Sequence, residues 1–200
     1  HTRRLFDSAK ILGLTIPYSQ ETVNQAIVDC VRESGLTSGY VRPMCFLGSE
    51  GMGLRADNLQ VHTMVACWEW GSYLGEENIK RGIRVKTASF NRHHVNSTMC
   101  RAKANGNYIN SMMALKEATD AGYDEALLLD TEGFVCEGSG ENFFMVRDGV
   151  LHTPELAGAL GGITRETVLQ LARDIDLPVR EKRITRDEVY TADEAFFSGT

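Results

Sequence analysis

The chain has 200 residues, of which 42% are hydrophobic and 24% charged, and its formal net charge at pH 7 is −6. Such values are typical of a globular protein of one or two domains, and no basic block indicates binding to nucleic acid or an anionic membrane. No apolar run is long enough to span a bilayer. Five cysteines without a CxxC pair argue against a disulfide framework and favour a reducing cytoplasm. No cluster of Cys, His and carboxylate residues completes a site, so no metal is expected.

The first 70 residues predict two helices followed by two strands. A first helix covers residues 3–12 and ends at Gly13. Ser19 is the expected N-cap of a second helix, whose buried stripe would contain Val23, Ala26, Ile27, Cys30 and Val31. Strand-like runs at 39–48 and 61–70 flank the glycine-rich loop GSEGMGL.

The turn-like segment WGSYLGEEN, residues 70–78, is interpreted as a domain boundary. We therefore expect one domain at 1–70, an interdomain loop at 71–79 and a second domain at 80–200. The chain begins without Met in a helix-like run and stops directly after a strand-like run. We expect that both ends of the natural protein lie outside it.

The second part of the chain mixes hairpins with helices. The run IRVKTASF predicts a strand, and a helix is expected from Tyr108 to about Ala121 with an inner face of Ile109, Met112 and Met113 and with Leu115 at its flank. EALLLDTEGFVCEG reads as two strands around a turn, and NFFMVRDGVLHTP predicts a hairpin that turns at Asp148-Gly149. Thr164 is the expected cap of a helix to about Asp176, and Thr185 with Glu188 predicts a capping box. The fold class predicted from this mixture is α+β (mixed α/β).

Lys103 has unusually small neighbours. It is flanked by Ala102 and Ala104 and followed by the run NGN, so backbone or a flat ligand could approach it closely. A lysine amine becomes a nucleophile at neutral pH only where burial or a nearby cation disfavours its protonated form. The alternative is an ordinary lysine in a loop before a helix.

Three further segments could bind a charged ligand. In CEGSGENFF, Glu137 or Glu141 could hold a protonated ring nitrogen, or both could be solvated in a turn. LGGITRET leads glycines into a helix start, which suits a phosphate or is a plain helix cap, and the SGT run that ends at Thr200 could add donors. Arg42, in an apolar strand, needs a carboxylate or phosphate, or belongs to a structural ion pair. A lysine, a carboxylate and a phosphate cradle are the three parts that a pyridoxal phosphate enzyme requires.

The motifs RLFDSAK, YVRP, GMG, WGSYLG, AKANGNY, EGSGEN, GGITR and FFSGT occur in this order along nearly the whole chain. On these motifs the chain resembles the branched-chain amino acid aminotransferases, in the class IV (fold type IV) group of pyridoxal phosphate enzymes. The resemblance implies a two-domain fold, with part of a small N-terminal α/β domain at 1–70 and a large, C-terminally truncated cofactor-binding domain at 80–200. It implies pyridoxal 5′-phosphate as cofactor, and amino transfer between leucine, isoleucine or valine and 2-oxoglutarate. It also implies small-molecule amino acid and 2-oxo acid partners and a homodimer or higher homo-oligomer.

The resemblance also implies roles for individual residues. Lys103 would be the Schiff-base lysine, Glu137 would pair with the pyridine nitrogen, and Tyr108 would hydrogen-bond the 3-hydroxyl of the ring. The cofactor phosphate would be bound by Arg4, Ile163, Thr164 and Thr200. The substrate would be bound by Tyr40, Arg42, Trp70, Tyr73 and Leu54, the last of which would reach into the site of a neighbouring subunit.

Two alternatives stay open, and one segment has no assigned role. A D-amino acid aminotransferase or an aminodeoxychorismate lyase would share Lys103 and Glu137, although the YVRP strand and Trp70 favour the branched-chain enzyme. A non-enzymatic module could use the GGIT helix start to hold a phosphorylated ligand. The segment RHHVNSTMC, which precedes the lysine, receives no role.

Overall fold

The computed structural model describes residues 1–71 and 76–200, and the chain divides into two compact units, His1–Glu77 and Asn78–Thr200. Both contain helices and strands, in keeping with the predicted mixed class. In the described ranges no helix combines the length and apolar character that crossing a membrane requires. The interdomain loop predicted at 71–79 includes residues that lie outside the described part.

The first unit is a two-stranded sheet with two helices. Its elements are α1 (Thr2–Ile11), α2 (Gln20–Ser34), β1 (Tyr40–Leu47) and β2 (Val61–Trp68), and β1 pairs antiparallel with β2. The predicted cap of α2 is confirmed, because the Ser19 hydroxyl accepts the Thr22 N–H at 3.2 Å. A further helix, α3 (Glu76–Arg81), spans the division between the units.

The predicted buried stripe of α2 is only partly correct. Val23 is buried and Ile27 and Cys30 are half-buried, but Ala26 and Val31 are exposed. Helical spacing identified the right face. A sheet of two strands is too narrow to cover the whole of that face within this unit.

The second unit is built on a seven-stranded mixed sheet. Its elements are β3 (Val85–Thr87), a 3-10 turn (Asn105–Asn107), α4 (Tyr108–Asp120), β4 (Glu125–Leu129), β5 (Val135–Gly138), β6 (Asn142–Arg147), β7 (Val150–Thr153), α5 (Ile163–Asp174), β8 (Val179–Glu181), α6 (Arg186–Tyr190) and β9 (Glu194–Ser198). The strands follow the order β3-β4-β5-β6-β7-β8, and β9 pairs with β6. The pairs β3/β4 and β7/β8 are parallel, whereas the others are antiparallel.

Two local predictions in this unit are confirmed. The β6–β7 hairpin turns at Asp148 (φ 50°) and Gly149 (φ 72°), and these positive values are those a two-residue hairpin turn requires. Thr185 and Glu188 form the capping box of α6. Both patterns depend on residues close in sequence, which is why the sequence alone reveals them.

The predicted inner face of α4 is wrong. Ile109, Met112 and Met113 are 64%, 68% and 47% exposed. The buried face instead carries the small residues Ser111, Ala114 and Ala118. The two alanines pack against a cluster on β4 that contains Ala126 and Leu128. Small side chains let the helix approach the sheet closely, and their helical spacing is as regular as that of the larger residues.

Candidate active site

Lys103 lies two residues before the 3-10 turn that leads into α4, and it is exposed. Its Nζ donates a hydrogen bond to Tyr108 Oη at 2.6 Å. Asn107 braces the loop that carries the lysine, since its Nδ2 donates to the carbonyls of Met99 at 3.2 Å and Ala102 at 3.1 Å. The loop is therefore fixed by hydrogen bonds, and it presents the accessible amine of Lys103 beside the phenol of Tyr108.

Glu137, on β5, is buried rather than solvated, so the turn with solvated glutamates is excluded. Its Oε1 lies 2.6 Å from Arg92 Nε, and its Oε2 accepts the Leu160 N–H at 3.0 Å. Burial raises the pKa of the Glu137 carboxyl, while Arg92 and the Leu160 N–H oppose this rise. The Lys103 ammonium also lowers the pKa of Glu137, more weakly. The charge of Lys103 is therefore felt at the buried carboxyl of Glu137.

Arg92 is a functional candidate that sequence reasoning missed, in the segment RHHVNSTMC. Its side chain is 7% exposed and pairs with the Glu137 side chain, which is 8% exposed. Its Nη1 donates to the Asn107 carbonyl at 3.3 Å and to Asn110 Oδ1 at 3.2 Å. A buried carboxylate requires a cationic or hydrogen-bonding partner. That rule was available from the sequence, but it does not say which of many arginines is the partner.

The second glutamate of the same turn, Glu141, is also buried, but its neighbours differ from those of Glu137. Glu141 Oε2 accepts the Gly140 N–H at 3.0 Å. Burial and the neighbouring Glu125 carboxyl raise the pKa of Glu141 to about 7. Glu125 is itself fully buried, and its Oε1 accepts the Ser139 N–H at 3.2 Å. Of the two predicted glutamates, Glu137 is the one paired with a cation.

Glu141 is expected to make stability fall as the pH rises. The folded protein binds this proton more tightly than the unfolded chain, where the pKa is near 4.5, so its contribution is complete below pH 4.5 and is lost as the pH passes about 7. Glu141→Gln should flatten that decline in unfolding free energy, measured by urea denaturation across this range. The exposed Glu194→Gln is the control, and a Glu141→Gln curve parallel to wild type would contradict the assignment.

The predicted phosphate segment begins α5, but Thr164 is not its cap. The N-cap is Gly162, which has no side chain to bond the first-turn N–H groups, and Thr164 lies in the first turn. A Cβ at Gly162 would collide with Asn142 Oδ1, and Asn142 Nδ2 donates to the Leu160 carbonyl at 2.9 Å. A helix start without a side-chain cap suits an anion. The same segment reaches Glu137 through the Leu160 N–H group.

Gly162→Ala is expected to destabilise the protein. The added methyl group would displace Asn142, and such overpacking costs about 1–3 kcal/mol. Gly161→Ala is the matched control, because its Cβ would meet Leu156 Cδ1 at 3.6 Å, an ordinary contact. Urea denaturation should show a lower midpoint for the first variant and nearly the wild-type midpoint for the second. Equal midpoints for the two variants would contradict the crowding at Gly162.

Within the described residues, Arg42 does not have the carboxylate partner of a structural ion pair, which was one of the alternatives that its sequence context left open. Its Cζ lies 5.3 Å from the centroid of the Tyr40 ring and 5.4 Å from that of Trp68, so the guanidinium stacks on aromatic faces. No ion pair of Arg42 occurs among residues 1–71 and 76–200. Tyr40 also contacts Trp70, at 4.7 Å between centroids. Together these side chains form an aromatic cluster of Tyr40, Arg42, Trp68 and Trp70. Of its members, Trp68 is the one that the sequence did not single out.

The predicted site residues fall into separate groups. In the second unit, Lys103 contacts Tyr108 and acts on Glu137, and the half-buried Ile163 and Thr164 begin α5. Thr200 follows β9 at the exposed end of the chain. In the first unit, Arg4 lies on α1. The aromatic cluster contains Tyr40, Arg42 and Trp70, and Leu54 is fully exposed. Tyr73 lies outside the described residues.

Potential metal ligands do not converge anywhere in the described ranges. No group of three or more His, Cys, Asp or Glu side chains there could hold an ion.

Comparison with known proteins places this geometry in a family. Residues 1–200 match the family described as Amino-transferase class IV. The chain is 60% identical over 200 residues to the branched-chain-amino-acid aminotransferase of Pseudomonas aeruginosa, aligning in full and spanning 65% of that protein. The crystal structure of the Escherichia coli branched-chain amino acid aminotransferase matches with a TM-score of 0.98 and 42% identity, over 100% of this chain and 66% of that one.

A crystal structure of the branched-chain amino acid aminotransferase from Thermobaculum terrenum, in its PLP-bound holo form, matches with a TM-score of 0.92 and 33% identity, over 100% of this chain and 65% of that one. These matches confirm the predicted α+β fold of the class IV type. Because the family match covers every residue, the chain belongs to the class IV aminotransferases.

Proposed function

We propose that the whole protein is a pyridoxal phosphate-dependent branched-chain amino acid aminotransferase. It would transfer the amino group between leucine, isoleucine or valine and 2-oxoglutarate, giving branched-chain 2-oxo acids and glutamate. The observation that carries the proposal is the buried Glu137 carboxylate, which is paired with Arg92 and whose pKa the Lys103 ammonium lowers. The similarity to relatives named as branched-chain aminotransferases supports the substrate class.

The residues of the second unit fit the proposed cofactor. Lys103 offers an accessible amine for its aldehyde, and Tyr108 offers a phenol beside that amine. Glu137 offers a buried carboxylate for the ring nitrogen. The start of α5, with Ile163 and Thr164, offers N–H groups that no N-cap side chain bonds, and Arg4 and Thr200 are the proposed additional phosphate ligands. When bound, the cofactor would supply an electron sink for the bond broken at the amino acid α-carbon.

Lys103 would move the proton in this reaction. As an unprotonated amine, its Nζ would take the proton from the α-carbon of the amino acid as a general base, and would then deliver it as a general acid to C4′, the former aldehyde carbon of the cofactor. Tyr108 Oη, 2.6 Å from Nζ, would orient the amine for both transfers. Glu137 would hold a proton on the ring nitrogen, because a buried carboxylate favours a cation beside it.

The substrate side chain would be recognised by the aromatic cluster of the first unit. Tyr40 and Trp70 provide apolar ring surface for a branched side chain, and Arg42 provides one cation for the distal carboxylate of glutamate. We propose Tyr73 as a further pocket residue. Leu54 would reach the site of a neighbouring subunit in a homodimer or higher homo-oligomer. The free thiols suit a reducing cytoplasm, which is the proposed location.

The proposed function is tested by assaying the full-length protein with added cofactor. We expect 2-oxo acid and glutamate to form from L-leucine and 2-oxoglutarate, with an absorbance band in the visible or near-ultraviolet on cofactor binding. Activity only with D-alanine, or only with aminodeoxychorismate, would show that the substrate class is wrong. A protein that stays colourless with pyridoxal phosphate would instead favour a phosphate-binding module without enzyme activity.

A further inference from the structure

Arg92 connects two parts of the second unit that carry different chemical groups. Its Nε lies 2.6 Å from Glu137 Oε1 on β5, and its Nη1 donates to the carbonyl of Asn107, the residue before Tyr108. The same Nη1 donates to Asn110 Oδ1 on α4 at 3.2 Å. The backbone N–H of Arg92 donates to the Leu129 carbonyl at 2.7 Å. One buried guanidinium therefore joins the carboxylate to the start of α4.

The arrangement is specific to arginine. Burying an ion pair gives little net stability, so a buried arginine with this contact indicates a role other than stability alone. The Arg92 Nε–H group does not point at an oxygen with the geometry of a hydrogen bond. Its contact with Glu137 is therefore a close ion pair. A planar guanidinium can contact the carboxylate and the α4 start at once, whereas a lysine ammonium is a point charge that cannot span both.

We propose that Arg92 is a positioning residue that holds Glu137 as an anion, at a fixed place relative to Tyr108, facing the ring nitrogen of the cofactor. This inference rests on the proposed function. The other titratable groups that act on Glu137, or on which it acts, are Lys103, Cys100, Cys136 and Glu141. Burial raises the pKa of both thiols, which keeps them neutral, and Lys103 has a smaller influence on Glu137 than Arg92.

The first test needs no cofactor. Arg92→Gln and Glu137→Gln are combined in a double-mutant cycle in the full-length protein, and the urea midpoint of unfolding is measured at several pH values. We expect Arg92→Gln to lower the midpoint in the wild-type background, increasingly as the pH rises and Glu137 ionises. In the Glu137→Gln background it should instead raise the midpoint, because it removes a buried guanidinium that has lost its carboxylate partner. Equal losses in both backgrounds at every pH would overturn the proposal.

The second test uses the cofactor-loaded protein. We expect Arg92→Gln to lower kcat by about 100-fold while the KM for 2-oxoglutarate changes little, because misplacement of Glu137 affects the reaction more than binding. The absorbance of the bound cofactor should also change its pH dependence. Arg92→Lys keeps the positive charge, so its kcat should lie between those of Arg92→Gln and the wild-type protein. This variant also tests the proposal if Arg92→Gln does not fold.

The outcomes separate the inference from the proposed function. A wild-type protein that takes up no cofactor would refute the proposed function, and the double-mutant cycle would still report on the Arg92–Glu137 pair. A wild-type protein that is active while Arg92→Gln keeps its kcat and its spectrum would refute the role of Arg92 alone.

A second, independent observation concerns two thiols in the first unit. Cys30 on α2 and Cys67 on β2 have Sγ atoms 3.3 Å apart, and both residues are half-buried. The Cys67 Sγ also lies 3.4 Å from the Cys30 carbonyl oxygen. Cys67 lines a surface pocket with Thr37, Ser38 and Gly39, which gives a small molecule a route to it.

We infer that Cys30 and Cys67 form a redox-modification site for a small-molecule disulfide. The Cys67 thiolate attacks the external disulfide, forms a mixed disulfide and releases one small thiol. The Cys30 thiol then loses its proton and displaces the second small thiol, so two protein S–H groups are oxidised and the external disulfide is reduced to two thiols. Because Cys67 lines the pocket and Cys30 is not among the lining residues, Cys67 is the attacking residue.

The test is alkylation of the full-length protein after incubation with oxidised glutathione. Within residues 1–200 we expect five alkylated cysteines in the reduced protein and, after oxidation, a Cys30–Cys67 cross-link in the peptide map that leaves the other cysteines alkylated. Cys30→Ser should stop at the mixed disulfide on Cys67, whereas Cys45→Ser should leave the cross-link unchanged. Five alkylated cysteines after oxidation, or a mixed disulfide that persists in the wild-type protein, would overturn this inference.

Discussion

Replacing Lys103 with alanine is expected to abolish amino transfer from L-leucine by the cofactor-loaded, full-length protein. Removing the residue proposed both to bind the cofactor aldehyde and to carry the α-proton should lower kcat by about 10⁴-fold or more. The measurement is steady-state formation of glutamate, together with the absorbance spectrum, which should lose the band of the bound cofactor. The loss has a chemical cause, because the exposed Lys103 side chain contributes little to packing.

Lys116→Ala is the matched control for this variant. Lys116 is an exposed lysine on α4 whose Nζ lies 2.8 Å from Asp120, four residues along the same helix. Such exposed pairs contribute at most about 1 kcal/mol, so kcat and the spectrum should be those of wild type. Substantial activity in Lys103→Ala, or an equal loss in Lys116→Ala, would remove Lys103 from the proposed mechanism.

Glu137→Gln is expected to affect both catalysis and stability. Loss of the carboxylate would remove the charge that holds the ring-nitrogen proton, lowering kcat by about 10²–10³-fold. It would also leave the buried Arg92 guanidinium without its carboxylate partner, and breaking a buried ion pair costs about 3–5 kcal/mol. Steady-state kinetics and urea denaturation measure the two effects.

Glu141→Gln distinguishes the two glutamates of the turn. Glu141 is buried in the same segment but faces the Glu125 carboxyl instead of a cation, so its replacement should preserve most of the activity. A loss of kcat as large as that of Glu137→Gln would mean that the turn as a whole, and not the Glu137 charge, supports the reaction.

The elements that the sequence predicted well depend on nearby residues. The Ser19 cap, the Asp148-Gly149 turn and the Thr185–Glu188 capping box each involve residues within three or four positions of one another. The inner face of α4 was wrong because the packed face is decided by what the sheet accepts. Helical spacing supports the small face and the face of large residues equally.

The candidate site shows the same limit. The motifs around Lys103 and Glu137 are local and conspicuous, so the sequence singled out both residues. The burial of Glu137 and its pairing with Arg92, 45 positions earlier, arise from the tertiary fold. Arg42 was recognised as unusual, but its aromatic partner Trp68 lies on the other strand of the sheet, where only the observed register places it.

The central claim is that the amine of Lys103 carries the cofactor. The most direct test is to load the full-length protein with pyridoxal phosphate, reduce it with borohydride and map the modified peptide by mass spectrometry. We predict one phosphopyridoxyl group, on Lys103, and none in protein that was not loaded. A modification on another lysine, or no modification of loaded protein, would contradict the claim.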